Sequence, residues 1–150
     1  SWSRGLGDVY KRQELAAAVG LAASSCLERV RRLRSRGVLR GFRAEVDPAV
    51  LGIEIQAMIA VRLQQHSREL VEAFQSHVLS LPEVVSLYHV AGENDFLIHV
   101  ALRDTEHLRE VVLDAFTARP EVAHVETGLI FDHTRTPVLP NYELDRIGEE

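Results

Sequence analysis

The feature that most constrains the fold is a Pro-Glu-Val motif that occurs twice, at Pro82–Val84 and, 38 residues later, at Pro120–Val122. Before each copy, apolar residues recur at the three- and four-residue spacing of an amphipathic helix. Each copy opens a stretch that favours a β-strand. Two further stretches, Ile53–Leu63 and Phe96–Leu102, alternate apolar residues as half-buried strands do. The predicted order is therefore β-α-β-β-α-β, built from two related halves.

Two β-α-β halves related in this way are typical of a ferredoxin-like split β-α-β sandwich. Such a sheet carries helices on one face only, so we expect a second copy to cover the bare face in a homodimer. One predicted helix is capped by Ser67 and the other by Asp104 or Thr105. The four predicted strands span 53–63, 84–90, 96–102 and 122–131.

The N-terminal part of the chain predicts a helix-turn-helix. A short Ala-rich helix over 14–20 ends at Gly20, and a turn follows at Leu21–Ala23. A second helix is expected over 24–36, with a capping box formed by Ser25 and Glu28. Two short helices joined by a turn of this kind are the signature of the motif. The apolar stripe of the second helix, assigned to the core, consists of Leu27, Val30 and Leu33.

Loose alternation around Gly41 predicts a hairpin, or wing, over Val38–Val46. The turn-forming residues that follow it predict a domain boundary near 48–52. The stretch GDVYKRQ resembles a translated sequencing-adapter scar, which predicts that residues 1–13 are not native sequence. The remaining chain divides into a winged helix-turn-helix with linker over 14–50, a ferredoxin-like domain over 51–140 and a polar tail over 141–150.

The charge is distributed unevenly between the two predicted domains. Residues 1–50 carry ten Arg and Lys against five Asp and Glu, whereas residues 51–150 carry seven against seventeen. Sixteen of the seventeen basic residues are Arg, which suits phosphates and guanine edges. A basic N-terminal unit joined to an acidic C-terminal unit indicates that only the first meets a polyanion.

Several classes of protein and site are not expected. The single Cys26 allows neither an intramolecular disulfide nor a multi-cysteine zinc site and is expected to be a packing residue. The seven histidines lack metal-binding spacing, and although strands can gather His89, His99 and His124, we predict no metal site. No catalytic or nucleotide-binding motif occurs, so no catalytic residue and no cofactor are predicted. Without an apolar run of membrane-spanning length or a signal peptide, we expect no membrane association and a cytoplasmic protein.

Two stretches resemble the Lrp/AsnC family of transcriptional regulators, also called feast/famine regulatory proteins. ELAAAVGLAASSCLERVRRLRSRGVLRGFRAEVDPAVLG is similar to the helix-turn-helix and linker of that family, and VAGENDFLIHV is similar to its Gly-x-x-Asp effector turn. The resemblance covers about residues 13–140. It implies an α+β protein with an N-terminal winged helix-turn-helix and a C-terminal ferredoxin-like effector domain. The helix that normally opens the family's DNA-binding domain is missing here, replaced by residues 1–13.

The resemblance also implies the function and the partners. Members of this family bind double-stranded DNA, form dimers through the C-terminal sheets and often assemble into octamers. They respond to amino acids or related small molecules bound between dimers. We therefore expect a DNA-binding transcriptional regulator that senses an amino acid, and not an enzyme.

The candidate DNA-binding residues follow from the orientation of the second helix. Because its N-terminal turn points into the major groove in this motif, we expect Ser24, Ser25 and Arg29 to contact base edges. Phosphate contacts position a protein without reading sequence. Four arginines are suited to that role: Arg31, Arg32, Arg40 and Arg43.

The candidate effector site is centred on the Gly92 turn. Glycine permits a backbone that brings the amides of Glu93 and Asn94 towards a ligand carboxylate. Asp95 is expected to accept hydrogen bonds from an α-ammonium group, so the turn offers both halves of a zwitterion site. The pocket is completed by Tyr88 and His89, before the turn, and by Thr127, which resembles a family position near the ligand.

Two alternatives stay open at this point. A sirohaem-decarboxylase-like enzyme subunit shares the two-domain build, but would need basic and histidine residues around a tetrapyrrole cavity. An effector-binding module without functional DNA binding is the other, and it would show no salt-dependent binding to DNA.

Overall fold

The computed structural model describes residues 13–136 and 138–143. The chain divides into two compact units, Ser1–Glu45 and Val46–Glu150. The division falls a few residues before the predicted boundary. None of the helices in the described part of the chain is both long and apolar enough to cross a membrane. Of the segment predicted to be non-native, residues 1–12 lie outside the described residues, as do residues 144–150 of the predicted tail, so both predictions stay open.

The N-terminal unit contains the two predicted helices. Helix α1 covers residues 13–18, and helix α2 covers Ala23–Ser35. Gly20 joins them with a positive φ of 67°, a conformation that other residues adopt only with strain. The turn closes through a hydrogen bond from Leu21 N to Ala16 O at 2.9 Å. Ala16 of α1 and Cys26 of α2 are both buried, which agrees with the prediction of Cys26 as a packing residue.

Two details of α2 differ from the sequence-based prediction. The helix begins at Ala23 with Ala22 as its N-cap, and no side chain caps it, so the predicted capping box of Ser25 and Glu28 is wrong. The hydrogen bond from Cys26 N to Ala22 O already closes the first turn, which places Ser25 inside the helix. The predicted core stripe is also only partly covered, since Leu27 and Val30 are half-buried and Leu33 is 37% exposed.

The hairpin predicted over Val38–Val46 is absent. Residues 40–47 belong to the described part of the chain and contain no strand. An isolated two-stranded hairpin is marginally stable in water, and the apolar residues here gain no burial to offset its ordering. Val38, Phe42 and Val46 are all more than half exposed.

The C-terminal unit has the predicted β-α-β-β-α-β order. A 3₁₀ turn at Pro48–Leu51 precedes one antiparallel sheet with the order β2-β3-β1-β4. The strands are β1 Ile55–Leu63, β2 Val84–His89, β3 Phe96–Leu102 and β4 Val122–Leu129. The helices are α3 Arg68–Ser80 and α4 Thr105–Glu110, which continues as a π-helical segment over Val111–Thr117.

The predicted helix caps are present. Ser67 Oγ accepts a hydrogen bond from Leu70 N at 3.2 Å at the start of α3. Of the two candidates for α4, Asp104 is the cap, because its Oδ1 accepts from His107 N at 2.8 Å. Each cap satisfies an amide that has no partner inside its helix.

The two Pro-Glu-Val motifs occupy equivalent places in the sheet. The carbonyl of Glu83 accepts from Ala101 N, and the carbonyl of Glu121 accepts from Gln64 N, both at 2.9 Å. Each bond places the start of an edge strand beside the end of a central strand. Each Glu carboxylate also pairs with a basic side chain, His107 for Glu83 and Arg119 for Glu121. The motif therefore marks where each half of the repeat enters the sheet.

The core lies between the sheet and the helices. On β1, the residues Ala57, Ile59 and Val61 face the helices and are fully buried, as the alternation predicts. Phe74 of α3 lies at the centre, with its ring centroid 5.0 Å from that of Phe96 and 6.4 Å from that of Phe116. Such tilted aromatic pairs add about 0.5–1.5 kcal/mol to the gain from burial.

The opposite face of the sheet carries a histidine with an altered titration. His99 pairs in register with Met58 on this face, is 7% exposed, and its Nε2 lies 2.7 Å from Gln56 Oε1. The ring of His133 lies edge-on to it, with centroids 5.6 Å apart. Burial, and secondly the charge of His133, lower the pKa of His99 from its usual value of 6.5.

We predict that replacing Phe74 by Ala lowers the free energy of unfolding of the C-terminal unit by about 3–5 kcal/mol, because a fully buried ring is lost. Urea denaturation followed by circular dichroism measures the change. The matched control is Leu79→Ala on the same helix, where the side chain is 60% exposed and a loss well below that of Phe74→Ala is expected. Equal losses in the two variants would contradict this account of the core.

We predict that His99 makes the protein less stable in acid. Its pKa is lower in the folded state than in the unfolded state, so its contribution to stability is complete above pH 6.5. The contribution is lost as the pH falls below that value, since the unfolded chain then takes up a proton that the folded chain resists. Unfolding free energies measured between pH 5 and pH 7.5 should fall less steeply for His99→Gln than for the unaltered protein. Parallel curves would rule out this role for His99.

Candidate DNA-binding and effector sites

The outer face of α2 carries the candidate DNA-binding side chains. Ser24, Ser25, Arg29, Arg31 and Arg32 are all exposed. Ser24 and Arg31 are seven residues apart, as are Ser25 and Arg32, so each pair lies two turns apart on one side of the helix. The first turn of α2 contains no acidic residue, and its last turn contains Arg32 and Arg34. The face is therefore a basic surface suited to a polyanion.

One arginine of this face is paired with an acid. Arg32 NH2 lies 3.5 Å from Glu28 Oε1, one helical turn away, and both side chains are largely exposed. An exposed pair of this kind contributes at most about 1 kcal/mol, so a phosphate can replace the carboxylate. Arg29 and Arg31 have no carboxylate partner among the described residues.

The remaining predicted DNA-binding residues lie in the segment after α2. Arg40 and Arg43 are exposed, and the segment has no regular structure. Sequence reasoning missed a contact here, since the guanidinium of Arg34 lies 5.9 Å from the centre of the Phe42 ring. This is a cation–π distance, although nothing in the spacing of the two residues indicates it.

The effector turn lies between β2 and β3 and is closed by a hydrogen bond from Val90 N to Asp95 O at 2.9 Å. Gly92 has a φ of 133°, which confirms that the turn requires glycine. The backbone amides of Glu93 and Asn94 have no hydrogen-bond partner within the part of the chain that the structure describes. Two unpartnered amides in succession at a surface turn can receive an anionic oxygen.

Asp95 has a structural role in addition to the predicted one. Its Oδ2 accepts from Leu63 N at 2.7 Å, and its Oδ1 lies 2.7 Å from Nε2 of His66. Only 13% of the side chain is exposed. Each carboxylate oxygen can accept a second hydrogen bond, so acceptance from an α-ammonium group stays a prediction. Within the described residues, Asp95 attaches the turn to the end of β1.

Sequence reasoning missed the residues that hold the turn from the other side. His66 and Leu63 bind Asp95, and Arg62 NH1 lies 3.8 Å from Glu93 Oε1. His66 is a single histidine in a loop, and no local pattern relates it to a turn 29 residues later. Only the pairing of β1 with β3 brings these groups together.

The other candidate effector residues do not converge within one chain. Tyr88 pairs with Leu97 and His89 with Phe96, so the two side chains leave opposite faces of the sheet. The His89 ring stacks on the Phe96 ring with centroids 4.7 Å apart. Thr127 is exposed on β4, at the sheet edge opposite to β2.

The histidines do not gather into a metal site. His99 lies on the bare face of β3, His89 projects from the other face, and His124 contacts Glu126 at 3.4 Å on β4. Within residues 13–136 and 138–143, no group of three or more His, Cys, Asp or Glu side chains could hold a metal ion.

Comparison with known proteins assigns a known domain family to each of the two units. Residues 11–40 match the winged helix-turn-helix DNA-binding domain, and residues 56–137 match the Lrp/AsnC ligand binding domain. The chain is 47% identical over 121 residues to the HTH-type transcriptional regulator AldR of Mycolicibacterium smegmatis, covering 81% of this chain and 71% of that protein. It is 36% identical over 116 residues to the leucine-responsive regulatory protein of Rhizobium meliloti, covering 77% and 74%.

A solved structure extends the similarity to the fold. A transcriptional regulator of Neisseria meningitidis, crystallised as a complex with L-methionine, superposes with a TM-score of 0.79 at 28% identity. The match covers 89% of this chain and 86% of that one. These relatives are transcriptional regulators and not enzymes, which confirms the regulator prediction over the sirohaem-decarboxylase alternative. The chain belongs to the Lrp/AsnC family of transcriptional regulators.

Proposed function

We propose that this regulator binds double-stranded DNA through α2 and the segment after it, and that an α-amino acid or a related small zwitterion at the Gly92 turn controls that binding. The observation that carries the proposal is the pair of unpartnered amides, Glu93 N and Asn94 N, in a turn fixed to the sheet. The complex of the Neisseria regulator with L-methionine supports an amino acid as the class of effector.

The charge of α2 supports the proposed division of roles in DNA binding. Ser24, Ser25 and Arg29 occupy its first two turns, where this motif meets base edges. Arg31, Arg32, Arg40 and Arg43 would contact phosphates, which supply affinity and salt dependence.

The turn supports recognition of a carboxylate. Its free amides and the nearby Arg62 guanidinium offer donors of the kind that bind an anionic oxygen. Glu93 is 85% exposed and is held only by Arg62 at 3.8 Å, so it is a better candidate than Asp95 for an ammonium group. Asp95 contributes by fixing the turn. Tyr88, His89 and Thr127 would reach an effector only where surfaces of more than one chain meet, as the family resemblance implies.

The bare face of the sheet supports assembly as a homodimer. It presents Met58, Ala60, Leu97 and Ala101 as partly buried apolar side chains around His99. A second copy on this face would complete their burial. A DNA-binding regulator works where the DNA is, so we also propose a cytoplasmic location.

We predict that DNA binding depends on salt and on single arginines of α2. The logarithm of the binding constant should fall linearly with the logarithm of salt concentration, and Arg31→Ala should reduce the slope by about 0.9. The matched control is Arg109→Ala, an exposed arginine of the acidic unit, which should leave the slope unchanged. Fluorescence anisotropy with labelled duplex DNA makes the measurement. If the unaltered chain shows no salt-dependent binding, the effector-module alternative is correct instead.

We predict that one or a few of the twenty amino acids raise the thermal midpoint. A ligand at about a hundred times its Kd adds about 2.7 kcal/mol, which is several degrees for a chain of this size. Asp95→Ala should abolish the shift, because the turn loses its attachment to β1, whereas Glu72→Ala at an exposed position of α3 should keep it. A panel without any shift would contradict amino-acid sensing.

A further inference from the structure

The turn that carries the proposed effector site is attached to the sheet through a mostly buried carboxylate. Asp95 Oδ2 accepts from Leu63 N and Asp95 Oδ1 contacts His66 Nε2, each at 2.7 Å. Only 13% of the Asp95 side chain is exposed, whereas 63% of the His66 side chain is. A carboxylate so little exposed needs donors on its oxygens. Here the two donors are the backbone amide of Leu63 and the exposed side chain of His66.

The Leu63 amide shows why the orientation of Asp95 matters. The β1–β3 ladder ends at the pair Val61–Phe96, and the β1–β4 ladder shifts register between Arg62 and Leu63. The Leu63 side chain is in the core, and its amide lies beyond the last β3 pair. In a longer β3, a backbone carbonyl would accept from this amide. Here the Asp95 Oδ2 atom accepts in its place. A misoriented Asp95 would leave this amide without a partner at the edge of the core, which is costly.

The chemistry of the contact determines the direction of the hydrogen bond. A carboxylate only accepts, so His66 Nε2 carries the proton and donates to Asp95 Oδ1. Because a carboxylate is a charged acceptor, this bond is stronger than one between two neutral groups.

Two pairs of charged groups in this region have partners of their own. Arg62 of β1 pairs with Glu93 of the turn at 3.8 Å, and Glu121, whose carbonyl accepts from Gln64 N, pairs with Arg119. Among the described residues, no ion pair joins any of these four to Asp95 or His66. His66 is thus the basic side chain that contacts Asp95.

We propose that His66 is the positioning residue of the effector site: its hydrogen bond holds Asp95, and through Asp95 the turn, in the binding conformation. His66 acts without touching the effector. The inference rests on the proposed function, because it takes the Gly92 turn as the place where the effector binds. The expected consequence is that effector affinity falls when the side chain at position 66 can no longer donate to Asp95.

The first test measures the turn without any effector. Amide hydrogen exchange of the full chain should show Leu63 N exchanging about tenfold faster in His66→Ala, the size expected when a hydrogen bond of about 1.4 kcal/mol is lost. His66→Gln should stay within about twofold of the unaltered protein, because its Nε2 amide donates from nearly the same place as the imidazole Nε2. The matched control is His124→Ala, which removes an exposed histidine that faces Glu126. It should leave Leu63 unchanged.

The second test measures effector affinity by calorimetry, with the amino acid that gives the largest thermal shift. His66→Ala should bind about tenfold more weakly than the unaltered protein, because the donor to Asp95 is lost. His66→Gln should bind within about twofold of the unaltered protein, because its amide nitrogen can still donate.

The outcomes separate this inference from the proposed function. If no amino acid binds but Leu63 loses protection in His66→Ala, amino-acid sensing fails and the positioning role stands. If amino acids bind and His66→Ala changes neither exchange nor affinity, the positioning role is overturned while the sensor function stands. It is equally overturned if His66→Gln binds the effector as weakly as His66→Ala, since the hydrogen bond is then not what matters.

Discussion

The pairing of β1 with a neighbour on each side is the constraint on which the rest of the C-terminal unit depends. β3 and β4 both pair with β1, and its alternate residues form the floor of the core under Phe74. Because β1 is central, its C-terminal end meets the loop that leads into β3. That meeting is where Asp95 binds the Leu63 amide, so the candidate effector site is a direct consequence of the strand order.

The order of the elements could be predicted from the sequence because the chain repeats itself. Each Pro-Glu-Val motif enters an edge strand after a helix, and the structure places the two motifs equivalently. The need for glycine at position 92 was also predictable, since a tight turn between two strands requires it. Both features depend on residues that are close together in the chain, so the sequence alone predicts them.

The contacts that build the site could not be predicted in the same way. The bond between His66 and Asp95 joins residues 29 positions apart, and it exists only because β1 and β3 are neighbours. Ser25 is not a cap for a different reason: α2 begins at Ala23, and the backbone bond from Cys26 N to Ala22 O already closes its first turn. Thr127 lies at the sheet edge opposite to β2, so its predicted place near the effector depends on a second chain and stays a prediction.

The two units differ in charge and in the candidate sites they carry. The face of α2 exposes guanidinium groups, while the acidic unit carries the proposed effector turn and the bare sheet face. An effector can alter DNA binding only by favouring one assembly of the chain over another. The amount by which it does so is a coupling free energy, which must be the same in both directions.

That reciprocity gives the most direct measurement of the central claim. The Kd of the full chain for its amino acid would be determined by calorimetry, first without DNA and then with saturating duplex selected for binding. The account predicts that DNA changes the amino-acid Kd by at least about fivefold, and that the amino acid changes the DNA Kd by the same factor. Identical amino-acid affinities with and without DNA would contradict it, because the two sites would then be independent.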